Sequence, residues 1–263
     1  MTFYSRAFVA VCFALVTACG HRAAAPGSDS AALDAPTAQI EAAIAATDRT
    51  DADRALDKGR KPLGLLTFIG VRPSQRVADV GAGSGYTTEL LARVVGDKGV
   101  VYAQNAPKLL AIIGDKGITE RLARPVNRSV VRVDREFDEP LPPEATKLDL
   151  VVMNIVYHDT VWLGVDRERM NRAIFAALRP GGHFIVSDSS AVDGSGVEAA
   201  KALHRIDRNV VRSEVLKAGF VLETESLLYK NPDDKRDWSS SPRDAGERRG
   251  TSDRFLLRFV KRH

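Results

Sequence analysis

Three glycines at positions 81, 83 and 85 follow the run "RVADV" directly, and Asp79 stands two residues ahead of the first. Glycine opens backbone conformations closed to other residues and lets a ligand lie against bare peptide groups. A helix starting near Tyr86 would aim its N-terminal amides at the same spot. A second group lies in "NIVYHDT" (154–160), where Asn154, Tyr157, His158 and Asp159 bring amide, phenol, imidazole and carboxylate together. His158 beside Asp159 has the parts of a general base, and equally those of a hydrogen-bonded loop histidine. "LHRID" (203–207) adds His204 and Arg205 ahead of Asp207; this stretch reads either as a helix cap or as acceptor-binding side chains. No H-x-x-x-H or carboxylate spacing accompanies the histidines, so no metal site is expected.

These groups need elements that hold them. Strand-like runs are "RVADV" (76–80), "GVVYA" (99–103), "SVVRV" (129–133), "LDLVVM" (148–153) and "HFIVSD" (183–188), with helical stretches such as "YTTELLARVV" and "RERMNRAIFAALRP" between them. Strands alternating with helices imply parallel pairing by right-handed crossovers. "GFVLETESLLY" and "RFLLRFVKR" are separated by a polar loop instead, which predicts a hairpin at the sheet edge. Upstream, residues 36–56 have helical spacing with Pro36 at an N1-like position, and "PLGLLTFIG" ends a second helix at Gly70. In such a sheet, ligands bind beyond the carboxyl ends of the strands. The glycine turn, "NIVYHDT" and Asp188 at the end of "HFIVSD" therefore belong at one edge. The charged run "DDKRDWSSSPRDAGERRG" reads as a solvated loop, or as a cover for the acceptor pocket through Trp238.

The pattern acid-x-G-x-G-x-G after a strand resembles motif I of class I S-adenosylmethionine (SAM)-dependent methyltransferases. The nicotinamide-dinucleotide fingerprint would place its third glycine at position 86, which is Tyr. "LRPGG" (178–182) and the edge hairpin are similar to the same family. "RKPLGLLTFIGVRP", "VYAQN", "YHDT" and "SPRDAGERRGTSDRF" resemble a group of bacterial methyltransferases made with export signals. The resemblance implies a Rossmann-like, doubly wound, mostly parallel seven-stranded sheet in one α/β domain spanning 36–263. It further implies SAM as cofactor and a small-molecule or lipidic acceptor. Asp79, Gly81, Ala82, Gly83 and Gly85 would hold the methionine and ribose, with Gln104, Asn105, Asp134 and Asn154 also toward the cofactor. Tyr157, His158, Asp159 and His204 would be the catalytic candidates. Where the family keeps an acid for the ribose hydroxyls, this chain has Gln104 and Asn105, and Asn105 is expected to face the ribose. On that reading Asn105→Asp should tighten cofactor binding.

The ends and composition bear on location. Ala7 to Val16 is an unbroken small-to-apolar run behind Arg6, of signal-peptide length. Val16-Thr17-Ala18-Cys19 resembles a lipobox, which predicts a signal over 1–18, lipidation at Cys19 and a flexible tether over 19–35. Both cysteines, Cys12 and Cys19, fall in that segment, leaving none for the domain. The expected location is the cell envelope, lipid-anchored, with the cytoplasm as alternative if the signal is unused. The net charge of +4 is interspersed and forms no basic block, so nucleic acid is not expected as a partner. Exported proteins do not normally meet SAM, and this sets a second reading beside the enzyme: a tethered nucleoside- or small-molecule-binding module without catalysis.

Overall fold

A computed structural model describes residues 1–2 and 29–262, with side chains described from Thr37 in the second segment. Residues 3–18 of the expected signal, Cys19 and the tether to residue 28 lie outside the described residues. Helix α1 (Asp29–Ala45) begins within the stretch expected as tether and passes through Pro36. The run 36–56 is two helices instead of one. α2 (Asp51–Arg60) starts anew because Thr50 adopts an extended backbone and its side chain accepts the Asp53 amide at 3.1 Å. α3 (Pro62–Ile69) has Pro at its first position and stops at left-handed Gly70, as its sequence predicts.

Next come β1 (Arg76–Val80), α4 (Tyr86–Val95), β2 (Val100–Asn105), α5 (Pro107–Ile113), α6 (Lys116–Leu122), β3 (Val130–Asp134) and β4 (Leu148–Asn154). The chain continues through α7 (Asp159–Trp162), α8 (Arg167–Ala177), β5 (Leu178–Ser189), α9 (Ala199–Leu203), α10 (Arg208–Lys217), β6 (Val221–Glu225) and β7 (Arg254–Val260). The seven strands form one sheet in the order β3-β2-β1-β4-β5-β7-β6. β1 to β5 pair in parallel, and β7 enters antiparallel between β5 and β6. The expected doubly wound sheet with an antiparallel edge hairpin is therefore present.

Alternation along the strands builds two cores. Ala78, Val80, Val151, Met153, Phe184 and Val186 face one layer with α8 and α10. Val77, Leu150, Val152 and Ile185 face the other, against α1, α3 and α4. Period-2 patterning buried on both faces is what a doubly wound sheet demands. Strand order reverses between β1 and β4, and their carboxyl ends open a crevice there. Among the described residues no helix is long and apolar enough to cross a membrane.

Candidate active site

The crevice is a cleft of about 740 Å³ that runs from the glycine turn to His158 and His204. At one end, Gly81 and Gly83 both have positive φ, 73° and 58°. A Cβ on Gly81 would sit 2.6 Å from Val156, so this glycine lets two loops pack together. A Cβ on Gly83 would meet nothing within 4 Å among the described residues, because it points into open cleft.

Two amides from the end of β2 fix this loop. The Gly81 amide donates to the Gln104 side chain at 2.9 Å, and Gln104 Nε2 donates to the Arg135 carbonyl. Asn105 accepts from the Gly83 amide at 2.8 Å and donates to the Gly83 carbonyl at 2.9 Å. Both side chains are fully buried and spent on backbone. The expectation that Gln104 and Asn105 face the ribose is therefore corrected: they are loop staples. Asp134 also lies outside the cleft, exposed and paired with Arg132.

Asp79 lies beneath the loop, 2 % exposed, and accepts the Thr88 hydroxyl at 2.6 Å. Burial raises its pKa to about 6, against the lowering effect of the Thr88 hydrogen bond and the Arg60 charge. Arg60, at the end of α2, lies over the Tyr86 ring at 5.0 Å and lines the same wall. Its pKa is lowered by burial, and it makes no salt bridge among the described residues. Asn154 donates to Thr87 Oγ1 at 3.2 Å, while its buried Oδ1 has no partner among the described residues. A carboxyl, a guanidinium and an orphaned amide oxygen thus share one wall, while the exposed Ile112 and Ile113 of α5 supply apolar surface.

At the other end, Ile155 has φ 62°, a strained value for a β-branched residue, and its amide bonds to the Ser187 carbonyl at 2.7 Å. This turn throws residues 156–159 across the sheet edge. His158 is buried; its Nδ1 meets Asp188 Oδ1 at 2.8 Å, and its amide donates to Asp188 Oδ2 at 2.8 Å. Nε2 lies 3.1 Å from His204 Nδ1 and 3.1 Å from Asp159 Oδ1. Burial alone would lower the His158 pKa, but the Asp188 and Asp159 carboxylates outweigh it and raise the value to about 10. Asp159 is held well below the usual carboxylate range by His158 and His204, in spite of its burial. The flanking carboxylates thus favour the protonated form of the ring.

Tyr157 corrects another expectation. It is fully buried, donates to Glu214 at 2.8 Å and accepts from Asn171 at 2.8 Å, so it is core. His158, Asp159 and His204, separated by up to 46 residues in sequence, do converge. The expectation of no metal set rested on local spacing, which is blind to that convergence. Arg205 is not an acceptor-binding residue: it is fully buried, ion-paired with Asp234 at 2.9 Å and bonded to the Ser190 and Trp238 carbonyls. Asp207 caps α10 through the Asn209 amide, as its type predicts.

The β6–β7 connection, residues 226–253, is built rather than solvated. Trp238 is buried between Arg205 and Arg248, at 4.7 and 4.6 Å, and is not over the pocket. The cover is Ser240 to Asp244: Ser240 donates to the His204 carbonyl at 2.6 Å and Arg243 to the Ile112 carbonyl at 3.0 Å. The sequence offers this run as a cover but points to Trp238 instead of Ser240 to Asp244, and it gives no signal for Arg60, which sits in no spacing that marks a ligand wall.

Residues 78–186 match the family described as "Methyltransferase domain". Over 121 residues the chain is 29% identical to the ubiquinone/menaquinone biosynthesis C-methyltransferase of Vibrio campbellii, covering 46% of this chain and 44% of that one. The Vibrio parahaemolyticus counterpart is 30% identical over the same 46% and 44%. The chain thus spans less than half the length of the curated relatives it matches. A solved SAM-dependent methyltransferase from Aquifex aeolicus superposes with TM-score 0.54 at 16% identity, over 86% of this chain and 98% of that one. Residues 78–186 are thus similar to a methyltransferase domain, and the chain has the fold of class I SAM-dependent methyltransferases.

Proposed function

We propose that the protein is a SAM-dependent methyltransferase acting on a small-molecule acceptor. The observation that carries this is the glycine turn at Gly81–Gly83, stapled from beneath by Gln104 and Asn105 and opening directly into the cleft. The groups of this wall fit the cofactor. Asp79 and the orphaned Asn154 oxygen suit an ammonium, Arg60 suits a carboxylate, and Ile112 and Ile113 suit an aromatic base.

When bound, SAM would supply an electrophilic methyl group to the acceptor. The chain's part is positioning. Asp79 and Arg60 hold the amino-acid end, the bare face at Gly83 admits the nucleoside, and Ser240 to Asp244 exclude water from above. The acceptor enters at the end bounded by His158, Asp159, Trp162 and His204. Similarity to C-methyltransferases of quinone biosynthesis supports an acceptor of small cyclic or lipidic type. Location in the cell envelope through a lipid at Cys19 belongs to the same reading, supported by the "VTAC" sequence behind an apolar run.

Calorimetric titration with SAM and S-adenosylhomocysteine tests the cofactor site, and release of S-adenosylhomocysteine with candidate acceptors tests transfer. Binding without turnover across a broad acceptor panel would favour the tethered binding module. No binding of either nucleoside would overturn the reading.

A further inference from the structure

We propose that His158, Asp159 and His204 form a binding site for a divalent transition cation, with coordination positions open to the cleft for an oxygen-bearing acceptor. His158 Nε2, Asp159 Oδ1 and His204 Nδ1 lie 3.1, 3.1 and 3.7 Å apart in pairs. An ion bonded to nitrogen and oxygen at about 2.0–2.2 Å separates neighbouring ligand atoms by about 3.0–3.6 Å. The three atoms therefore already stand at the edges of such a coordination shell.

The surrounding contacts orient each ligand. Asp188, fully buried, takes the Nδ1 side of His158 and leaves Nε2 as its ligand atom. A carboxylate behind a metal-bound imidazole is a recurrent outer-sphere arrangement. Trp162 Nε1 donates to Asp159 at 3.0 Å and holds that carboxylate in place. His204 ends α9 in the left-handed region, φ 50°, which turns its ring toward His158 at a backbone cost. The set is two imidazoles and one carboxylate, which selects a zinc-like ion over magnesium or calcium. Three protein ligands leave at least one position free, and the side of the cluster that His204 exposes is where it lies. The acceptor's part in this rests on the methyl-transfer reading; the cation site does not.

The test uses the purified chain stripped of metal. Zn²⁺ is titrated by calorimetry and Co²⁺ by its visible absorption. One equivalent should bind, with a Co²⁺ band characteristic of nitrogen and oxygen ligands. His204→Asn keeps a residue that tolerates the left-handed backbone, and Asp159→Asn keeps the acceptor for Trp162. Each should weaken uptake at least tenfold while the thermal melt shows a folded chain. Absence of stoichiometric uptake by the wild type, or equal uptake by both variants, overturns the proposal. SAM affinity is measured on the same samples. SAM binding without zinc uptake sinks the cation site alone, whereas variant-sensitive zinc uptake without SAM binding supports it and removes the methyl-transfer reading.

Discussion

Asn105 and Gly83 exchange two hydrogen bonds, amide to side-chain oxygen at 2.8 Å and side-chain nitrogen to carbonyl at 2.9 Å. The residue at the position of the family's ribose acid is thereby committed to the loop under the cofactor. Asn105→Asp keeps the acceptor but loses the donor, and sets a negative charge against the Gly83 carbonyl. Cofactor affinity should fall by about 1–2 kcal/mol, roughly tenfold. Titration calorimetry showing tighter binding would return Asn105 to the ribose.

Gly83 and Gly81 separate occupancy from packing. At Gly83 a side chain has space but fills the cleft. Gly83→Val should abolish SAM binding while the domain stays folded, losing about 1–2 kcal/mol from the φ of 58°. At Gly81 a Cβ collides with Val156, so Gly81→Ala should chiefly lower the melting temperature. Unchanged SAM affinity in Gly83→Val would remove the site assignment.

A buried ion pair anchors the connection that carries the cover over the cleft. Arg205 and Asp234 are 0% and 1% exposed in their side chains, and Asp234 also accepts from the Trp238 indole and the Asp253 amide. Arg205→Met leaves that carboxylate without its cation, a loss of about 3–5 kcal/mol for a buried pair broken on one side. Denaturant unfolding should register this, and limited proteolysis should cut first between 226 and 253. A stability equal to wild type would show that the pair does not anchor the connection.

Much of the fold was legible because buried strands and glycine-ended helices carry local signals. The turn at 81–85 is visible as strand, acid, glycines and helix. The break at Thr50 is carried only by the cap signal "TDAD", which lies inside an otherwise helical pattern and is masked by it. Side-chain direction was harder. Tyr157 and His158 are neighbours, yet the tight turn after Ile155 sends one into the core and the other to the cleft edge. Asn105 and Asp134 end adjacent parallel strands in register, but Asn105 turns under the glycine loop and Asp134 to solvent. Pairings such as Arg205 with Asp234, or His158 with His204, depend on tertiary closure that no local pattern encodes.

Asp79 links stability and binding through pH. Its carboxyl titrates near 6 in the folded chain, above the ordinary 3.8, because burial disfavours the charged form. As pH rises from about 4 to 6 the unfolded chain ionises this group while the folded chain retains the proton. The folded state therefore loses stability across that window, by about 1.4 kcal/mol per pH unit, and carries the full penalty above pH 6. Asp79→Asn removes the titration and keeps an oxygen for the Thr88 hydroxyl. Relative to wild type, the variant's melting temperature should rise between pH 4 and 7 in the absence of ligand. A cationic amino group beside Asp79 favours the ionised form, so SAM affinity of the wild type should increase as pH passes 6. In Asp79→Asn the affinity should be at least tenfold weaker and lose that pH dependence. Calorimetry at pH 5, 6 and 7.5 on both proteins reads each effect. Parallel pH profiles in wild type and variant would show that Asp79 neither titrates in this range nor meets the cofactor's ammonium.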